Sequence, residues 1–182
     1  LKTPGLMRRA AKRPGCLIML LVALSLIFPM AMVMAMVSDV RNFEIPDSLP
    51  LLLLIAYPLT ALSAGFSWQQ IIWAFSLAGL MLVVAIILFL LRIMGGGDGK
   101  FLAASVLWIG QERLWEFLFV TTLAGGVLAL ALILFRRLPL ASALEGIATI
   151  QQLHAKKQDI PYAVAIGCAG LIVYPHLPVL NC

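Results

Sequence analysis

What most constrains this chain is a succession of apolar runs with little polar sequence between them. Residues 16–37, 49–64, 68–91 and 117–135 are almost continuously apolar, and shorter runs cover 101–109 and 160–173. A helix needs about 20 apolar residues to cross the ~30 Å hydrocarbon core of a bilayer. The whole chain is 63% hydrophobic and 12% charged. A water-soluble domain averages roughly 45–50% apolar and about 25% charged residues, so a soluble globule of this length is excluded. The expected fold is all-α, a polytopic membrane protein with about six transmembrane helices. Residues 1–15 form a basic N-terminal tail, and residues 16–182 form one integral domain.

Local signals refine this pattern. The tail carries Lys2, Arg8, Arg9, Lys12 and Arg13 ahead of the first run, much as in a signal peptide. No small-x-small cleavage site follows cleanly, and the run is long enough to span, so it reads as a retained helix. Pro50 suits a first helical turn, and Pro58 predicts a kink within the second helix. Residues 65–67 read as a tight turn, with Trp68 and Trp73 as interfacial anchors. A short fourth helix is expected from Asp98 to about Gly110, then a polar link over residues 111–116. Residues 136–159 are expected to hold an amphipathic interfacial helix.

The net charge of +5 does not point to nucleic acid. The basic residues are split between the tail and short loops, which is how membrane proteins set orientation. Placing Asp39 on the cytoplasmic side puts Arg41, Arg92, Lys100, Arg136, Arg137, Lys156 and Lys157 inside and only Arg113 outside among the internal loops. The tail opposes this orientation, and a natural start at Met7 would reduce the conflict without removing it. Cys16, Cys168 and Cys182 have no C-x-x-C spacing, so neither a zinc site nor a disulfide framework is indicated.

Two acids stand at the edges of apolar runs. Asp39 closes the first, and Asp98 follows Gly95, Gly96 and Gly97 and precedes Gly99 and Lys100. Carboxylates in or beside a bilayer are costly, which makes them functional candidates. Four glycines around one aspartate free the backbone and open it to close approach by another chain. Two carboxyls can share a proton and activate a water, as in aspartic proteases. The runner-up is a small proton- or cation-coupled transporter using the same two acids, but such a protein would want them near the membrane midplane. His154, Glu112, Glu116 and Glu145 read as loop or interfacial residues, and Met30, Met32, Met34 and Met36 as packing residues.

The pattern resembles type IV prepilin peptidases. Asp39-x5-Ile45-Pro46-Asp47 is similar to their D-x5-I-P-N element, and Gly95-Gly96-Gly97-Asp98-Gly99-Lys100 to their G-x-G-D-x-K motif. Residues 160–167, Ile-Pro-Tyr-Ala-Val-Ala-Ile-Gly, resemble a V-P-Y-G-V-A-I-A stretch in the last span of short TadV/CpaA-like members. Asp47 departs from the usual Asn, and Ala163 from Gly. The resemblance implies an aspartic endopeptidase with Asp39 and Asp98 as its catalytic pair. Gly95, Gly97, Lys100, Ile45, Pro46 and Asp47 would support the motif. The implied substrates are prepilins or pseudopilins with a membrane-inserted N-terminal helix, cut on the inner face of the bacterial cytoplasmic membrane. The chain has no insert with paired cysteines, so N-methylation, a metal site and any cofactor are not expected.

Overall fold

A computed structural model describes residues 21–137 and 161–180. The basic tail, the expected interfacial helix within 136–159, His154, Glu145, Cys16 and Cys182 lie wholly or mostly outside these residues. The described chain is all-α: α1 (Ile27–Asn42), α2 (Ser48–Ser63), α3 (Trp68–Leu90), α4 (Gly96–Arg137) and α5 (Tyr162–Val173), closed by a 3₁₀ turn at Tyr174–His176. Three stretches are long and apolar enough to cross a membrane: Leu21–Asn42, Trp68–Leu90 and Gly96–Phe135. The helices Ser48–Ser63 and Tyr162–His176 are apolar but shorter. With large apolar side chains exposed along α1, α3 and the second limb of α4, the chain is a polytopic membrane protein whose outer surface suits lipid.

The helix boundaries follow from local chemistry. α1 runs past the end of the apolar stretch to Asn42 and stops at Phe43, a left-handed residue (φ 55°) whose N–H donates to the Asp39 carbonyl at 2.9 Å. α3 starts at Ser67 with a capping box, in which the Gln70 N–H donates to the Ser67 hydroxyl and the Ser67 N–H to the Gln70 side chain. Pro58 remains inside α2. Against the same helix Trp108 is buried, its indole Nε1–H donating to the Leu53 carbonyl at 3.0 Å.

α4 carries the main departure from the sequence expectation. Residues 111–116 are not a loop: the helix breaks at one residue only, Gly110 (φ 70°, ψ 177°), and resumes at once. Gly110 lies against Pro178, beyond the far end of α5, whereas Gly125 lies against Tyr162 and Ala165 at its start. The two limbs of α4 therefore form a hairpin, not a continuous rod. Residues 101–109 of the first limb are all buried. In the second limb Arg113 pairs with Glu116 at 2.8 Å, and Trp115, Phe119, Leu123 and Val127 face outward. Glu112 and Glu116 are exposed.

The core is the first limb of α4 surrounded by its neighbours. Trp108 packs against the rings of Phe28 and Tyr57, with centroids 5.6 and 5.9 Å away. Met32 is buried and Met36 half-buried against α5, whereas Met30 and Met34 point outward. Only half of that methionine group is packing material inside the protein.

Candidate functional site

Helix ends converge at one end of the bundle. α1 arrives there with its C-terminus, and α2, the first limb of α4 and α5 depart with their N-termini. Asp39 sits in the last turn of α1, and Asp98 is the third residue of α4. Both line one open pocket of about 980 Å³, together with Glu44, Asp47, Arg92 and Tyr162 among others. The carboxylates lie within electrostatic reach of each other. Neither stands mid-helix, so the geometry lacks the midplane placement a transporter reading needs.

The two acids are held in different ways. Asp39 is only 5% exposed and is the one fully buried carboxyl among the described residues. Its Oδ2 accepts a hydrogen bond from the backbone N–H of Ala163, at 2.7 Å, across 124 residues of sequence. Buried acids keep such partners because an unmet charge or lone pair is costly there. Asp98 is half-buried and held from within its own turn, where the Gly95 backbone donates to it. A Cβ at Gly95 would come within 2.7 Å of Asp98 Oδ2, so this position has no room for a side chain while the carboxylate keeps its place.

The other motif residues are brought to the same place. Gly97 packs on Ile45, with 3.7 Å between a Cβ at 97 and the Ile45 Cβ, so the Ile-Pro-Asp segment lies on the glycine turn. Ser38 donates from its hydroxyl to the Glu44 carbonyl at 2.8 Å, folding that segment back over the end of α1. Gly99 allows α4 to meet α3 closely, since a Cβ there would be 2.9 Å from that of Ala85. Asp47 makes no side-chain cap for α2. It pairs instead with Lys100, Nζ to Oδ1 at 2.8 Å, at the mouth of the pocket. Lys100, expected to support the motif, thus meets another motif residue, Asp47. The pair is exposed (54% and 75%), so it contributes about 0–1 kcal/mol and serves mainly to orient the two side chains.

Sequence reasoning missed two features. One is Tyr162 in the pocket wall; the other is the Ala163 N–H on Asp39. The available signal was the small-residue series Ala163, Gly167 and Gly170 on one face of α5, the kind of stripe that lets membrane helices approach closely.

No curated protein and no solved structure matches the chain. A family model described as the type IV leader peptidase family matches residues 26–134, from the start of α1 to near the end of α4, and includes both aspartates. That match covers more than half of the sequence, and within it the Asp39 segment and the glycine turn of Asp98 close on a single pocket; the chain belongs to the type IV leader peptidase family.

Proposed function

We propose that the protein is a membrane aspartic endopeptidase in which Asp39 and Asp98 form the catalytic pair. The observation that carries this reading is the meeting of two carboxylates in one open pocket where helix ends converge. One carboxylate takes a proton from a water, whose oxygen attacks the scissile carbonyl. The other, protonated, donates to the carbonyl oxygen. Collapse of the tetrahedral intermediate breaks the C–N bond, and a proton passes to the departing nitrogen. The products are a leader with a free carboxyl and a mature chain with a free amine.

The substrates are prepilins of the type IV or Flp class, as the resemblance to the short branch implies. They are cut on the cytoplasmic face of the inner membrane. A second, apolar groove of about 430 Å³ runs between α2, α3 and α4 and shares Asp47 and Lys100 with the pocket. Leu51, Leu54, Phe75, Leu82 and Ala103 line it, which suits the apolar helix of a membrane-held substrate. Docking there delivers the adjoining leader to the carboxylates and supplies proximity. The resemblance to the short branch, which lacks the insert with paired cysteines, implies that the new amine is left unmethylated.

Co-expression with a candidate prepilin tests the reading. A leader-sized mobility shift is expected with the wild type and not with Asp39→Asn or Asp98→Asn. No shift with any prepilin tried would overturn it. Mass spectrometry of the new N-terminus should find an unmethylated amine. A reporter fused after Arg137 should read as cytoplasmic, and one within residues 65–67 as external.

A further inference from the structure

The family match ends at residue 134, yet α5 lies beyond it and supplies the hydrogen bond to Asp39. α1 and α5 meet in a fixed register over three turns. On α1 the contacting residues are Phe28, Met32, Met36 and Asp39; facing them are Ala163, Gly167 and Gly170 of α5 and Tyr174 at the start of the 3₁₀ turn. Phe28 stacks on Tyr174, with ring centroids 6.3 Å apart at an angle of 13°. A Cβ on Gly170 would be 2.8 Å from the Met32 Sδ. A Cβ on Gly167 would collide with the Met36 side chain and lie 3.3 Å from the Met32 carbonyl oxygen. The last of these is a backbone atom and cannot step aside as a side-chain tip can. The two glycines therefore fix how closely α5 approaches α1. At that separation the Ala163 N–H stands 2.7 Å from Asp39 Oδ2.

Ala163 is the second residue of α5. Its N–H is one of the four at a helix start that have no partner within the helix. Pro161 precedes that turn and can donate nothing from its own nitrogen. Asp39 thus receives a donor that α5 cannot use internally, and α5 has an acceptor in place of a side-chain cap, which it lacks. The bond occupies Oδ2 and leaves Oδ1 available for a water or for Asp98.

We propose that α5 is a positioning element of the catalytic site: the Ala163 backbone N–H orients the Asp39 carboxylate, and the Met36–Gly167 contact sets the height at which it does so. This rests on the aspartic-peptidase reading. The donor is a main-chain group, so alanine and glycine serve equally at 163.

The test removes that single N–H. Replacing Ala163 with lactic acid, by nonsense suppression into the full-length protein in nanodiscs, converts the amide to an ester. With a prepilin substrate, kcat should fall about tenfold or more while KM stays within about twofold, because orientation of a reacting group and not docking is lost. The matching ester at Val164, whose N–H bonds the Pro161 carbonyl at 3.2 Å, perturbs the same helical turn and should leave kcat near wild type. Equal turnover by the 163 ester and the wild type, or equal losses at 163 and 164, would overturn the proposal. Gly167→Ala should lower kcat, and adding Met36→Ala to it should restore part of the loss in the double variant. Absence of any rescue would remove Met36 and Gly167 from the proposal. A readout without turnover separates this inference from the function it rests on. The Ala163 amide proton, observed by NMR, should move upfield in Asp39→Ala and stay in place in Asp98→Ala. If that resonance responds while no prepilin is cleaved, the hydrogen bond stands and the peptidase reading falls. If prepilin is cleaved and the resonance is indifferent to Asp39, the positioning role falls.

Discussion

The two ends of the candidate dyad are built on opposite plans. Asp98 is placed by its neighbours in sequence: a glycine turn, a backbone donor at Gly95 three residues earlier, and the absence of a Cβ on that same glycine. Asp39 is placed by a helix 124 residues away, through Ala163. A local device tolerates change elsewhere in the fold but almost none within its own few residues. A long-range device depends on helix packing and is sensitive at positions with no contact to substrate.

Charge removal should give the largest effect and treat both ends alike. Asp39→Asn and Asp98→Asn are each expected to lower kcat by about 10²–10⁴-fold while the protein still reaches the membrane, because Asn fills the same space but cannot shuttle a proton. Near wild-type turnover by either would dissolve the pair. Next, Gly95→Ala and Gly97→Ala should part company. The first forces its Cβ onto Asp98 Oδ2 at 2.7 Å, and the second meets Ile45 at an ordinary 3.7 Å. Displacement of a reacting group by about 1 Å can cost about 10²-fold, so Gly95→Ala should be nearly inactive and Gly97→Ala mildly impaired. Equal losses would mean that the turn needs backbone freedom throughout and that the space beside the carboxylate is not decisive.

Gly110→Ala probes the hairpin that both ends rely on. Its φ and ψ belong to a region open essentially to glycine alone, and forcing another residue there costs about 1–3 kcal/mol. Reversible unfolding in mixed detergent should show that loss, with little change in kcat for the molecules still folded. A large fall in kcat without a change in stability would place Gly110 in a moving part. Asp47→Asn should have the smallest effect. It removes an exposed ion pair of about 0–1 kcal/mol that salt already screens, and it restores the residue more usual in the resembling motif. Complete inactivation would move Asp47 into the reacting set.

Sequence by itself determined the medium and the local device. Apolar runs of spanning length force an all-α membrane protein, because backbone polar groups in lipid must be satisfied within helices. Four glycines around Asp98 announce a turn that leaves space at a carboxylate, since both the backbone freedom and the missing Cβ belong to those residues alone. Tertiary structure decided what depends on how helices seat against one another. It closed residues 111–116 into helix, because one glycine with a positive φ reverses the chain without a loop. It joined Asp47 to Lys100 across 53 residues, and it gave Asp39 the Ala163 N–H. Periodicity marks which face of a helix is apolar or small, but not which partner that face meets, or at what height. That register comes from side-chain volumes fitting across an interface, here Met32 and Met36 against Gly170 and Gly167, and it exists only once both helices are in place.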